Sequence, residues 1–244
     1  MLKKAVAKDW DKEVSNSTIH NIDENILKEF ITKGNDADRI KYKYTNKKDI
    51  INRLKLTNGD TLLNAGEILF SNQAKSSLKL GVFATDSKTT INDMDIVYDN
   101  FYNVLKRAET YYRNNTKWKV KIPNDWNEPG FKREEIPEIP KDAIREALIN
   151  SFVHRDYTSR IDNEFCIFKD RIEIFNPGEF NDQYEPIDYI KGKGTSICRN
   201  ELLAQTVYLS DDIEKFGSGI KRIYDACKED NIKVEFEKDK AGFI

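Results

Sequence analysis

Four of the six prolines fall within eighteen residues, at Pro123, Pro129, Pro137 and Pro140. Proline fixes φ and lacks an amide donor, so neither a helix interior nor a central strand runs through such a cluster. The cluster therefore predicts two parts, residues 1–136 and 137–244. Charge divides at the same place. Residues 1–136 hold 24 basic and 20 acidic side chains, or +4, and residues 137–244 hold 16 and 22, or −6, which sum to the formal −2 of the whole chain. The near-zero total conceals a mildly basic part and an acidic one, so it does not argue against a nucleic-acid partner for the first part.

Composition excludes several classes. With 39% hydrophobic and 34% charged residues, the chain is a polar globular sequence that still has aliphatic and aromatic side chains for a core. No apolar run reaches the ~18 residues of a membrane span. The start, Met1-Leu-Lys-Lys followed by Lys8-Asp9-Trp10-Asp11, is not a secretory signal. Cys166, Cys198 and Cys227 are odd in number, far apart and without a CxxC pair. They suggest neither a disulfide framework nor a zinc site, and the expected compartment is the cytoplasm.

In the first part, Asn21 and Glu24 have capping-box spacing before Ile22, Ile26, Leu27, Phe30 and Ile31, with Gly34 as a stop. Thr45 or Asn46 caps a second helix carrying Ile50, Ile51 and Leu54. Asn58-Gly59 marks a turn, and Thr61 to Phe70 reads as a third helix. A strand is expected over 78–85, a helix over 99–114 and a strand over 118–122. After Pro140 the pattern predicts a helix over 141–154, with Ile144, Leu148, Ile149 and Phe152 inward. Paired strands follow at 164–168 and 171–175, helices at 186–191 and 200–208, a helix opening at Gly217-Ser218-Gly219, and a strand at 233–236.

On the 141–154 helix, Glu146, Asn150 and His154 stand at i, i+4 and i+8, on one face. Such a face is either solvated or lines a site. Asn and a single His suit zinc poorly. Magnesium, which takes hard oxygen ligands and keeps several waters, needs only one such contact beside substrate phosphates. A carboxylate one turn away could orient or deprotonate water. Gly217-Ser218-Gly219 at a helix mouth offers amides to phosphate, or simply a tight turn. Gly192-Lys193-Gly194-Thr195 imitates a P-loop, but Ile187 stands where the first glycine belongs and Gly194 follows the lysine. A mobile lid or surface loop is the better reading.

The run Ala143-Ile-Arg-Glu-Ala-Leu-Ile-Asn-Ser-Phe-Val-His-Arg-Asp-Tyr157 resembles the signature of a bacterial and archaeal family labelled RecG-helicase-related or transcriptional regulator. Arg171-Ile-Glu-Ile-Phe-Asn-Pro-Gly178, Arg199-Asn-Glu-Leu-Leu-Ala204 and Glu214-Lys-Phe-Gly-Ser-Gly-Ile220 resemble it in the same order, as does Leu56 to Phe70 upstream. The resemblance implies an α+β fold. A mixed helical and strand N-terminal interaction domain over 1–136, helical to about residue 75, precedes an α/β sandwich of the histidine-kinase/gyrase B (GHKL) ATPase type over 137–244. It further implies Glu146 as general base, Asn150 as magnesium ligand, Asn176 and Gly178 at the adenine, and Gly217, Ser218 and Gly219 at the phosphates of ATP. Lys191, Lys193 and Arg199 become phosphate contacts from a lid at 191–199. Two departures bear on this. Asn176 replaces an Asp, so one charge is lost, and Glu179 and Phe180 follow Gly178 where the family has a further glycine. Binding of ATP is expected to outlast hydrolysis, leaving at most a weak ATPase, and without a P-loop or the rest of a motor no helicase activity is expected. Full-length members carry an AlbA-like Schlafen domain before these regions and often a winged helix after them, so the chain is expected to start after the first and end before the second.

Arg39, Lys41, Lys43, Lys47 and Lys48 interleave with Tyr42 and Tyr44. Cations neutralise phosphates and tyrosines stack on bases, so this stripe is either a nucleic-acid contact between two helices or a solvated loop. The leading expectation is an ATP-binding transcriptional regulator in which Mg-nucleotide modulates DNA or protein binding, with a homodimer as a permitted assembly. The alternatives are a degenerate, non-hydrolysing binding module, and a metal-dependent phosphohydrolase using Glu146 and His154.

Overall fold

In the structure, a computed structural model, residues 9–74, 76–121, 134–180, 183–195, 198–213 and 218–244 are described. Pro123, Pro129, residues 196–197 of the expected lid, and Gly217 lie outside them.

The N-terminal elements are β1 (Val14–Thr18), α1 (Glu24–Asp36), α2 (Lys47–Arg53), β2 (Thr57–Asn58), β3 (Thr61–Leu63) and α3 (Asn64–Phe70). Asp23, not Asn21, caps α1, accepting from the amides of Asn25 and Ile26. The Asn21 side chain instead accepts from the Thr18 amide at 2.8 Å. Asn46 caps α2 through the Asp49 amide at 2.9 Å. The expected helix over 61–70 is split. Gly59 adopts φ 63°, closing a two-residue hairpin that draws Thr61–Leu63 into a strand before α3 begins. The region up to residue 75 therefore holds a three-stranded sheet, ordered β1-β3-β2, beside its helices.

Next come β4 (Ser76–Phe83), β5 (Ile91–Asp99), α4 (Phe101–Asn115), β6 (Trp118–Lys121) and β7 (Glu134–Pro137). They are followed by α5 (Lys141–Val153), β8 (Asn163–Ile167), β9 (Ile172–Pro177), α6 (Pro186–Ile190), α7 (Glu201–Leu209), α8 (Gly219–Glu229) and β10 (Gly242–Phe243). The main sheet is ordered β10-β9-β8-β4-β5. β4 and β8 run parallel, with Leu78 opposite Asn163, and the other pairs are antiparallel. The architecture is α+β with a mixed five-stranded sheet.

This sheet crosses the proline-rich division. β4 and β5 come from the first part and β8, β9 and β10 from the second. The main core crosses it too, joining Leu78, Leu80, Phe101 and Leu105 to Leu148, Phe152, Phe165, Leu203 and Val207. Phe101 of α4 meets Phe152 of α5 edge-to-face at 5.8 Å, a favoured aromatic geometry. The prolines thus punctuate the backbone between α4 and α5 while the side chains on either side share one apolar interior.

The segment 233–236 is not a strand. Val234 and Phe236 pack on the cluster of Ala143, Ile223 and Cys227 between α5 and α8. The place beside β9 is taken by β10, with Phe243 opposite Asn176. The alternation read from sequence reflects one apolar side packed on that cluster, without a strand ladder.

Candidate nucleotide site

α5 owes its place to the core. Leu148, Ile149 and Phe152 are fully buried and anchor it toward α4 and the sheet, while its other side meets α8. That leaves Glu146, Asn150 and His154 in line along a cleft of about 1780 Å³ bordered by α5, β9, α7 and the start of α8. The volume is ample for a small ligand, whose sites usually measure about 300–1,000 Å³.

Glu146 is buried. Its Oε1 accepts from Asn150 Nδ2 at 3.0 Å, and its Oε2 lies 3.2 Å from Arg222 Nη1 on α8. Asn150 Nδ2 being so engaged, its Oδ1 is the atom with which it could meet a cation. Gly219 begins α8 directly against this pair. A Cβ there would stand 2.6 Å from Asn150 Nδ2 and 2.9 Å from Glu146 Oε1, so no side chain fits without displacing them. Ser218 and Gly219 both line the cleft.

Asn176, at the end of β9, is only 7% exposed and faces the same cleft. Gly178 follows with φ 121°, a backbone that other residues rarely adopt. A Cβ at Gly178 would come within 3.2 Å of both Arg199 Nη2 and the Asp156 backbone nitrogen. Arg199 donates to the Glu179 carbonyl at 3.0 Å and lies 3.9 Å from Asp156. Lys191 and Lys193 are exposed and do not line the cleft, whereas Gly194 and Thr195 of the same loop do.

Two neighbours were not singled out from the sequence. Asp156 lines the cleft, and its amide donates to the Pro177 carbonyl at 2.8 Å. Burial pushes its carboxyl up, but hydrogen bonds from the Thr158 side chain and amide, with the charges of Arg199 and Arg155, outweigh this and hold it low. Helical spacing misses it because α5 ends at Val153. Asn200 is buried and donates to the carbonyls of Val153 and Arg155, both at 2.8 Å, tying the start of α7 to the end of α5. His154 is pushed down to about 4, first by burial and then by the Arg199 charge, so it is neutral at neutral pH. Burial pushes the Cys198 thiol up to about 11, which keeps this cleft residue protonated and unreactive.

The basic stripe is largely engaged within the chain. Arg39 donates to the carbonyls of Tyr208 and Ile213, Lys41 pairs with Asp38, Lys47 donates to the Ile22 carbonyl, and Lys48 pairs with Asp60. Tyr42 and Tyr44 pack against the core, beneath Arg53 and Lys28 respectively. Lys43 is exposed. The tyrosines therefore do not form an open stacking platform.

Among the described residues no group of three or more His, Cys, Asp or Glu forms a metal cluster, and no helix is long and apolar enough to cross a membrane.

No curated protein matches the chain. The fold is that of a solved structure, the DIP2311 protein from Corynebacterium diphtheriae, with a TM-score of 0.77 at 18% identity. That similarity covers 96% of this chain and 46% of the other, so this chain spans less than half the length of that protein. Residues 164–244 match a family described as "Putative ATP-dependent DNA helicase recG C-terminal". The last third of the chain is thus similar to a RecG-related, ATPase-like domain.

Proposed function

We propose that the chain binds an adenine nucleotide with magnesium in this cleft, and that occupancy regulates how the rest of the protein meets a partner. The carrying observation is convergence. Glu146, Asn150, Asn176, Gly178, Arg199, Ser218 and Gly219, drawn from four separate segments of sequence, line one cavity. Its chemistry suits the ligand. Asn176 offers a buried amide to a base edge, the α8 N-terminus with Gly219 offers backbone approach to phosphate, and Asn150 Oδ1 offers one hard oxygen. Magnesium, when bound, would neutralise phosphate charge and complete its shell with water and phosphate oxygens.

Binding without efficient turnover is favoured by a specific contact. Both Glu146 oxygens are engaged, by Asn150 and by Arg222, so the carboxylate must give up a contact before it can orient or deprotonate a water. The phosphohydrolase reading draws less support, because Glu146, its base, has both oxygens engaged within the chain. A DNA contact through residues 39–48 would rest on Lys43 and on lysines released from their present pairs. A transcriptional role follows from the family resemblance and forms part of the proposal, with a homodimer as a permitted assembly; the division at 136/137, read from prolines and charge, is kept as a division of the backbone whose two sides share one core.

Calorimetry with a non-hydrolysable ATP analogue and magnesium tests the reading. Saturable binding that is weakened in Asn150→Ala is expected. No binding by the wild type, or unchanged binding by the variant, would overturn the site.

A further inference from the structure

Helix α7 forms one wall of the cleft through Glu201, Ala204, Gln205, Tyr208 and Leu209. Its own first residues do not cap it. Asn200 makes no side-chain cap; its Nδ2 donates instead to the carbonyls of Val153 and Arg155. The cap comes from the far end of the chain. Asp11, 1% exposed, accepts through Oδ2 from the amides of Leu202 at 2.7 Å and Leu203 at 3.1 Å. At the other terminus Arg39 Nη1 donates to the carbonyls of Tyr208 at 2.8 Å and Ile213 at 2.9 Å. Its Nη2 pairs with Asp211 at 2.7 Å, and the guanidinium lies 4.1 Å over the Tyr208 ring. A carboxylate at the amide end and a guanidinium at the carbonyl end both complement the helix dipole. Both come from residues before α2, while the helix they hold lies between Arg199 and Ser218–Gly219.

The turn after α7 is tied in the same way. Asp212 is buried and pairs with Arg145, the neighbour of Glu146 on α5, and with Lys33 of α1 at 3.3 Å, while accepting from Ser210 Oγ at 2.5 Å. The stretch 201–213 is thus fixed from α1, α5 and the segment before β1.

We infer that Asp11 and Arg39 are positioning residues for the cleft: they set α7 from both ends and so couple the N-terminal part of the chain to occupancy of the site. The inference rests on the nucleotide reading and extends it by naming the route of regulation. In this reading Arg39, for which the sequence left open a nucleic-acid contact or a solvated loop, serves the cleft from behind. Because coupling is reciprocal, a ligand that tightens α7 must also tighten the contacts made by Asp11 and Arg39.

The test compares the full chain with Asp11→Asn, Arg39→Met and the double variant, each shown folded by thermal melting. A non-hydrolysable ATP analogue with magnesium is the probe, read by calorimetry and by hydrogen exchange. Each single change is expected to weaken binding by about tenfold, the scale of one well-placed helix-end charge. In the wild type, ligand should slow exchange at the Leu202 and Leu203 amides and in the segment carrying Asp11, and this slowing should shrink in Asp11→Asn, which keeps an acceptor oxygen for the two amides but loses the charge. Binding within twofold of wild type in both variants, with lowered melting temperature only, would reduce the two residues to ordinary caps and overturn the inference. A wild type that binds no analogue would overturn the nucleotide reading and this inference with it, an outcome distinct from the first.

Discussion

His154 gives the cleft a pH signature whose size follows from its environment. The side chain borders the cavity and is held neutral, its pKa lowered from 6.5 to about 4. An unfolded chain takes up a proton on this residue near pH 6.5, whereas the folded protein resists until about pH 4. Between those values the unfolded state binds more protons, so stability is complete above the unfolded pKa and falls as pH drops. At 1.36 kcal/mol per unit, the displacement corresponds to about 3 kcal/mol at full effect, and water entering the cleft would reduce it toward about 1.5 kcal/mol. Urea unfolding of wild type and His154→Gln at several values from pH 7.5 to 4 measures it. Carboxylates held low, such as Asp156 and Asp162, also lose stabilisation in acid, but both proteins carry them. The difference between the two curves therefore isolates the histidine. Wild type should lose about 1.5–3 kcal/mol more than the variant between pH 7 and pH 4. Parallel curves would refute the claim that burial and Arg199 hold His154 neutral.

Three substitutions test the packing around the site. Gly219→Val forces a side chain into the space held by Asn150 and Glu146; calorimetry should show nucleotide binding lost while circular dichroism keeps its native form, and retained affinity would contradict the close approach. Asn200→Ala strands the carbonyls of Val153 and Arg155, so urea denaturation should show a loss of about 2–4 kcal/mol, at about 1–3 kcal/mol per buried unsatisfied group with partial relaxation; a change under about 0.5 kcal/mol would mean the bonds are not formed. Phe152→Ala opens a cavity beneath Phe101 at a fully buried position and should cost about 3–5 kcal/mol by the same assay, whereas a surface-like effect would place the α4–α5 contact elsewhere.

Much of the second half was legible because its signals are local. The apolar spacing of Ile144, Leu148, Ile149 and Phe152 gave α5 its buried side, and that side forced Glu146, Asn150 and His154 into one row. Residues 171–175 were readable as a strand, and Ser218–Gly219 as a helix start. Where local signals competed, the reading slipped. Thr61–Leu63 fit a helix in hydrophobicity, but the Gly59 hairpin took them. Val234 and Phe236 alternated as a strand would, but burial against α8 explains the pattern without a ladder. Asp156 lies beyond the end of α5, where helical spacing carries no information about which side chains face the cleft.

The sequence by itself determined where most of the helices fall and which face of α5 is polar. Those outcomes depend on propensity and periodicity within a dozen residues. Only tertiary structure decided that β4 and β5 join β8, β9 and β10 in one sheet, so that the proline-rich stretch divides the backbone and not the core. It also decided that Arg39 caps α7 when its neighbours suggested phosphate binding, and that Asp11 reaches amides 191 residues away. A charge finds its partner by burial and distance in space, and neither quantity is written in the order of residues.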